Sequence, residues 1–254
     1  MKGLFSLTGL VLMVLLTGCT THYRLTNVNR SRIVVDKRYD ATPDAQAVAF
    51  LAPYKQKVDS VMGPVVGRVA HDMSARRPEG DLSNLLPDIF MYMAKNYNEK
   101  PDFAIYNMGG IRAELSKGDV TYGDVLDVAP FENKICFLTL TGEKVLELFA
   151  QIARNGGEGV SKGVQLVITP DGKLVSARLH GKEIDPKAGY RVTTIDYLSQ
   201  GNDGLVAFKD CTELYSPQED WNNARYVIRD FFSEMMQKGR TIESRVEGRV
   251  VVEK

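Results

Sequence analysis

A hexapeptide in the middle of the sequence, Asn107–Arg112, has the residue types of an anion-binding turn. It directly follows the apolar run Phe103–Tyr106. The adjacent glycines Gly109 and Gly110 let the backbone come close to a ligand and point successive N–H groups into one concavity. The guanidinium of Arg112 can donate two parallel hydrogen bonds to a phosphate. The segment is therefore a candidate phosphate site, and a glycine turn with a solvated arginine is the alternative.

The sequence offers few side chains for hydrolytic catalysis. It has three histidines, His22, His71 and His180, and neither an Asp-x-His sequence nor a Gly-Asn-His-Asp or Gly-Asn-His-Glu block. A dinuclear metal centre needs several histidines and aspartates to bind its ions and polarise water. A serine or cysteine nucleophile would also have few candidates for its base. We therefore predict no catalytic residue and no metal ligand in this chain.

The candidate turn needs a strand before it and further elements around it, and the sequence predicts them. Phe103–Tyr106 has the length and composition of a buried strand. Helices are indicated by capping patterns and apolar spacing at 42–62, from about Ser83, after Thr121, at Gly142–Arg154 and at Asn222–Gln237. The predicted caps are Thr42 for the first helix, a capping box of Thr121 and Asp124 for the third, and Thr141 for the fourth. Strand patterns cover Lys134–Leu140, Val164–Ile168, Leu174–His180, Tyr190–Ile195 and Arg245–Val252. Strands and helices are interspersed without strict alternation, which favours an α+β layered sandwich.

Several ordered blocks give the chain a resemblance to a known family. They are Asn107–Arg112, Gly118–Val125, Ala129–Asn133, Leu140–Gly142 and Asp196–Gly204. In this order and spacing they resemble the C-terminal, substrate-binding domain of 5'-nucleotidases, and ordered blocks are more specific than one short motif. The resemblance runs from about Asp40 to the C-terminus and implies an α/β/β/α sandwich.

The resemblance implies which residues hold the phosphate of a nucleotide. Arg76, or its neighbour Arg77, and Arg112 match the family's phosphate-binding arginines. Gly109 and Gly110 belong to the same block as Arg112. Nucleoside monophosphates or related nucleotides are the ligands that these positions imply.

The resemblance also implies how the nucleoside part is bound. Asn107 matches a ligand-contacting asparagine, and Phe131 and Tyr197 match two aromatic residues that sandwich the base. Asp203 matches an acid that accepts hydrogen bonds from the ribose hydroxyls. Stacking on two aromatic faces tolerates different bases, because every base has a π-face. Core packing is the alternative role for Phe131 and Tyr197.

The first nineteen residues predict an exported, lipid-anchored protein. Lys2 precedes the apolar run Leu4–Leu16, which is too short to span a bilayer. Leu16–Cys19 resembles the lipobox of bacterial lipoproteins, in which the cysteine thiol is acylated; an ordinary cleaved signal is the alternative. We accordingly predict a leader at 1–19, a polar tether at 20–39 and the nucleotidase-like domain at 40–254, located in the periplasm or on the outer face of a membrane.

The charge balance argues against nucleic acid as a partner, and the cysteines leave the redox state open. Lys and Arg together number 32 and Asp and Glu together number 32, so no large basic field exists to attract polymeric DNA or RNA. Besides Cys19 the chain has Cys136 and Cys211, for which two buried thiols and a disulfide are both open.

Three functions fit these observations. The first is the nucleotide-recognition half of a split 5'-nucleotidase, with hydrolysis performed by a separate metallophosphatase protein that carries the divalent metals. The second is a lipid-anchored module that binds nucleotides or nucleosides without hydrolysis. The third is a structural surface lipoprotein. In each case we expect no cofactor in this chain.

Overall fold

The computed structural model describes residues 23–253, so Cys19 and the predicted leader at 1–19 lie outside the described part. The chain divides into two units between Phe50 and Leu51. In the first unit, the described residues from Tyr23 onward are exposed and include one short 3-10 turn at Lys37–Tyr39. Across residues 23–253, no helix has the length and apolar character to cross a membrane.

The first long helix, α1, covers Ala45–Met62. Its cap is Asp44, not the predicted Thr42, because the Asp44 carboxylate accepts the N–H groups of Gln46 and Ala47 at 2.8 and 3.0 Å. Apolar residues recur along it at helical spacing, yet several are more than half exposed: Val48, Leu51, Val58 and Val61. The apolar spacing therefore identifies the helix but not a buried face.

A five-stranded sheet forms the centre of the second unit. Its strands are β2 (Phe103–Tyr106), β4 (Ile135–Thr141), β5 (Gly159–Val160), β9 (Gly189–Ile195) and β10 (Thr212–Tyr215), in the order β10-β4-β9-β2-β5. β2 is parallel to β9, and β4 is antiparallel to β9 with Ile135 opposite Ile195. The last residues of β2 and β9 and the first residue of β4 therefore meet at one edge of the sheet.

Two smaller sheets complete the strands. β1 (Val65–Val69) pairs with β3 (Gly118–Thr121) in an antiparallel ribbon. A four-stranded sheet contains β6 (Val164–Ile168), β7 (Leu174–Leu179), β8 (Lys182–Glu183) and β11 (Val250–Val252), in the order β11-β6-β7-β8. β11 is shorter than predicted, because the Glu79 carboxylate takes the N–H groups of Glu247, Gly248 and Arg249 just before it.

Five further α-helices surround these sheets in the described chain: α2 (Asp81–Met93), α3 (Tyr122–Val128), α4 (Gly142–Arg154), α5 (Asp196–Ser199) and α6 (Ala224–Gln237). Thr121 and Asp124 form the capping box of α3, and Thr141 caps α4, as predicted. α2 packs on β2 and α6, whereas α4 contacts both the five-stranded and the four-stranded sheet. The predicted α+β class and its layered architecture are confirmed.

The hydrophobic core lies between these layers. Its largest fully buried side chains are aromatic: Phe90, Phe103, Tyr106, Phe137, Phe149, Phe208 and Phe232. Cys136 is buried in β4 and Cys211 is half-buried, and both are free thiols. Burial raises the pKa of the Cys136 thiol to about 12, so this group remains a neutral packing residue.

Candidate functional site

A cavity of about 200 Å³ lies at the sheet edge where β2, β4 and β9 meet. Its lining is Asn107, Gly109, Gly110, Phe131, Asn133, Tyr197 and Asp203. Three segments contribute these residues: the turn after β2, the loop before β4, and α5 with the turn that follows it. Six residues that the sequence singles out for the nucleoside and the glycine turn thus line one cavity, and the parallel pairing of β2 and β9 is what brings them together.

Phe131 and Tyr197 present aromatic surface to solvent at this cavity. They are 46% and 38% exposed, in contrast to the buried phenylalanines of the core. The segments that carry them are tied by Asp196, whose carboxylate accepts the N–H groups of Lys134 and Tyr197 at 3.1 and 2.8 Å. Exposed rings held on fixed backbone are suited to stacking on a flat ligand.

Asp203 also lines the cavity, and two neighbouring side chains hold its carboxylate in place. Its two carboxylate oxygens accept hydrogen bonds from the Tyr197 hydroxyl at 2.8 Å and the Asn107 amide at 2.6 Å. The first bond raises the pKa of Tyr197, because the neutral hydroxyl is the donor. Asp203 also has a left-handed backbone, with φ of 53°, which is uncommon outside glycine and clusters at functional sites.

The glycine turn includes a buried side-chain acceptor without a hydrogen-bond partner. Asn107 is 4% exposed, and its Oδ1 has no hydrogen-bond partner among the described residues. A Cβ at Gly110 would lie 2.6 Å from that Oδ1, whereas a Cβ at Gly109 would lie 3.7 Å from both Asn107 Nδ2 and Asp203 Oδ2. Gly110 therefore allows the turn to close over Asn107, and Gly109 keeps open the space beside the Asp203 carboxylate.

The three candidate phosphate arginines are not part of the cavity lining. Arg112 is exposed, and its Nη1 makes a long 3.4 Å contact with the Gly109 carbonyl, so it lies next to the cavity. Arg77 is engaged elsewhere, because its guanidinium donates to the Glu158 carboxylate and to the Asn155 carbonyl, both at 2.6 Å. Arg76 is exposed. Of the two neighbours that the sequence leaves open, Arg76 is the better candidate for a phosphate.

Two polar residues behind the cavity were missed by the sequence reasoning. Glu158 is buried and accepts the Met108 N–H at 2.6 Å, and the Asn155 amide donates to both Glu158 and the Asp203 carbonyl. Burial raises the pKa of Glu158, whereas its hydrogen bonds oppose that shift. The one available signal was an acid flanked by glycines, in Gly157–Gly159, directly after a helix.

The segment Gly159–Gly163 has the spacing Gly-x-Ser-x-Gly, which in some hydrolases carries a nucleophile. Here Ser161 is fully buried and its Oγ accepts the Ala104 N–H at 2.8 Å within the sheet region. It is a structural residue. Among residues 23–253 no group of three or more His, Cys, Asp and Glu side chains is arranged to hold a metal ion.

Other grooves among the described residues are larger than this cavity, including two of about 440 and 690 Å³. Both include Arg249, whose guanidinium already donates to Asp88 at 2.7 and 3.0 Å and to the Val160 carbonyl at 2.8 Å. Volume alone does not indicate a site, and the smaller cavity has the convergent polar groups and the exposed rings.

Comparisons with known proteins identify the family of this chain. The family model of the 5'-nucleotidase C-terminal domain matches residues 65–210, so the chain belongs to this family. It is 29% identical over 242 residues to the trifunctional nucleotide phosphoesterase protein YfkN of Bacillus subtilis, a match that covers 87% of this chain and 16% of the relative. It is 32% identical over 171 residues to protein UshA of Yersinia enterocolitica, covering 63% of this chain and 30% of the relative.

A solved structure shows the same fold. The 5'-nucleotidase precursor of Thermus thermophilus superposes with a TM-score of 0.69 at 25% identity, covering 84% of this chain and 44% of that one. The chain thus spans less than half the length of each of these relatives.

Proposed function

We propose that this chain recognises nucleoside monophosphates as the substrate-binding half of a split 5'-nucleotidase. The observation that carries the proposal is the cavity itself, in which two exposed aromatic rings flank a carboxylate that Asn107 and Tyr197 hold in place. In the proposed complex a flat base would stack on these rings, and ribose hydroxyls would donate to Asp203. Membership of the 5'-nucleotidase C-terminal domain family supports the same ligand class.

The volume of the cavity supports a binding mode in which the nucleoside and the phosphate of a nucleotide occupy different places. Its 200 Å³ lies below the roughly 300 Å³ at which pockets for whole drug-sized ligands begin. A bound nucleotide would therefore place its base and ribose in the cavity and its phosphate at the opening. Arg112, whose Nη1 contacts the Gly109 carbonyl beside the cavity, would bind the phosphate, with Arg76 as a second candidate.

Calorimetry with AMP and adenosine, without added metal, tests this assignment. Arg112→Ala should weaken the binding of AMP by roughly 1.5–3 kcal/mol, the size of a lost charge-assisted hydrogen bond, and leave the binding of adenosine nearly unchanged. Phe131→Ala should weaken the binding of both ligands by roughly 1–3 kcal/mol, because stacking acts on the base. Arg154→Ala, at the end of α4, is a control that should change neither. Absence of binding of either ligand at millimolar concentration would refute the proposal.

The hydrolytic step is assigned to a separate metallophosphatase. Generating a nucleophile from water and stabilising phosphoryl charge are tasks for bound metal ions, whereas this chain would supply orientation and affinity. A binding module without a hydrolytic partner is the second candidate, favoured by the cavity alone.

The membrane location is part of the proposal. We propose that the chain is exported and held at a bacterial membrane by lipid on Cys19, because Leu16–Cys19 has the lipobox pattern. The nucleotide-binding unit would then act in the periplasm or on the outer face.

A further inference from the structure

Glu158 is a buried carboxylate that receives hydrogen bonds from three separate segments. Its side chain is 1% exposed. Its Oε2 accepts the Met108 N–H at 2.6 Å, and its Oε1 accepts from Arg77 Nη2 at 2.6 Å and Asn155 Nδ2 at 3.1 Å. The donors come from the turn after β2, the loop before α2 and the end of α4. A buried carboxylate is tolerated only with such complete pairing.

Asn155 carries this connection to the other side of the cavity. Its amide has two N–H groups, and both are used, one on Glu158 and one on the Asp203 carbonyl at 2.9 Å. Arg77 holds Asn155 in turn, because its Nε donates to the Asn155 carbonyl at 2.6 Å. The Asp203 backbone, left-handed at φ 53°, is thereby fixed by a hydrogen bond from outside its own turn.

We infer that Glu158 is a positioning residue for the ligand cavity. By binding the Met108 N–H and the Asn155 amide at once, it fixes the glycine turn, Gly109 and Gly110, relative to the Asp203 carboxylate. The two halves of the nucleoside site are then preorganised without any contact between Glu158 and the ligand, which lowers the cost of ordering them on binding. The inference rests on the proposed nucleotide-binding function of the cavity.

The first test is the affinity of Glu158→Gln for adenosine, which does not depend on the phosphate arginines. The amide has the size of the carboxylate but places an NH₂ donor against the donors Arg77, Asn155 and Met108. The dissociation constant should rise about tenfold, the effect of one lost charge-assisted hydrogen bond. The control is Glu99→Gln, which breaks a part-buried pair with Arg191 at 2.6 Å that contacts no cavity residue. It should lower thermal stability while adenosine affinity stays within about twofold.

The second test reads the position of Asp203 without ligand. The Tyr197 hydroxyl donates to Asp203, which raises the Tyr197 pKa, so NMR of Cζ-labelled tyrosine can follow this one contact, assigned with Tyr197→Phe. In Glu158→Gln the Tyr197 pKa should fall toward that of an ordinary tyrosine, and in Glu99→Gln it should stay raised. Should Glu158→Gln fail to fold, Asn155→Ala breaks the same connection at its centre, and the same two results are expected.

The two measurements separate this inference from the proposed function. An unchanged Tyr197 pKa in both Glu158→Gln and Asn155→Ala overturns the positioning role, whatever the wild-type protein binds. Unchanged adenosine affinity in both variants overturns it as well. If the wild-type protein binds no nucleoside, the proposed function fails, and the Tyr197 measurement alone decides whether Glu158 positions Asp203.

Discussion

Asp203 shows how much of the site is assembled before a ligand arrives. Its carboxylate can accept about four hydrogen bonds, and Tyr197 and Asn107 already supply two. Asp203 lines the cavity together with Gly109, so its remaining acceptor capacity lies at the site. A vicinal diol, with two donors at fixed spacing, would use that capacity better than a group with one hydroxyl.

The two glycines of the turn give a matched pair of substitutions. Gly109→Ala adds a methyl group in ordinary contact with Asp203, so unfolding free energy should change by less than about 1 kcal/mol while nucleoside affinity falls about tenfold. Gly110→Ala forces a Cβ to 2.6 Å from Asn107 Oδ1, and should cost about 1–3 kcal/mol of stability as well as affinity. Urea unfolding and calorimetry on both variants check this. Equal loss of stability in the two would contradict the distinct roles given to the glycines.

Sequence reasoning reached the residues that line the cavity but not those that hold them. Asn107, Phe131, Tyr197 and Asp203 lie in ordered blocks that resemble a known domain, so their positions could be matched directly. The pairing of Arg77 with Glu158 could not be predicted from the sequence, because the two residues lie 81 positions apart and no local pattern links them. Polar networks between distant segments depend on tertiary packing.

At the scale of elements, local capping chemistry was the reliable signal. Thr121 with Asp124, and Thr141, placed the starts of α3 and α4 because their side chains satisfy N–H groups within the same turn. The length of β11 was overestimated from the sequence. The Glu79 carboxylate accepts the N–H groups of the three residues before the strand, so these groups are not available for strand pairing. α1 was placed by its apolar spacing, although spacing alone does not fix what covers a helix face.

The connection between α2 and α6 gives a prediction about acid stability. Glu234 on α6 accepts hydrogen bonds from Lys238, from Lys95 and, at 2.6 Å, from Tyr92 of α2, and these donors lower its pKa to about 2. A carboxyl group whose pKa is lowered in the folded protein stabilises the fold at pH values above its ordinary pKa of 4.5. That contribution is lost as the pH falls from about 4.5 toward 2.

Glu234→Gln should therefore reduce unfolding free energy at pH 7 by about 0.5–1 kcal/mol, a value kept small because the group is near solvent. The difference from the wild-type protein should shrink as the pH falls to about 3. Urea titrations at both pH values measure it. Glu243→Gln is the control, since its partner Arg245 is two residues away and joins no second element. A difference for Glu234→Gln that does not depend on pH would argue against the ionic connection.

The lipid anchor proposed at Cys19 determines where the whole protein is located. Changing Cys19 to Ala should release the protein from the membrane fraction or leave it unprocessed, because a lipid chain contributes about 0.8 kcal/mol per buried CH₂. Fractionation of cells and mass measurement of the N-terminus check this, with Cys211→Ala as a control that should remain membrane-bound. If the Cys19→Ala protein were cleaved, carried no lipid and still remained fully in the membrane fraction, lipid would be excluded as the anchor.

The proposed division of labour between two proteins determines whether the isolated chain can hydrolyse a nucleotide. If the metal centre and the substrate site are divided between two proteins, the purified chain should release no phosphate from AMP, with or without manganese, zinc or cobalt. Mixed with its cognate metallophosphatase, it should raise kcat/KM on nucleotides, because binding energy from the base and ribose then orients the phosphate at the metals.

Substitutions in this chain sharpen the test of the split enzyme. Arg112→Ala, Phe131→Ala and Asp203→Ala should each remove the gain in kcat/KM on AMP, because each removes a different part of substrate recognition. The partner's hydrolysis of a small phosphate ester, which has no base or ribose to bind, should be the same with every variant. Phosphate release by the pure chain would place the chemistry in this protein. A partner whose rate on AMP is indifferent to the chain would instead favour a binding module that acts without hydrolysis.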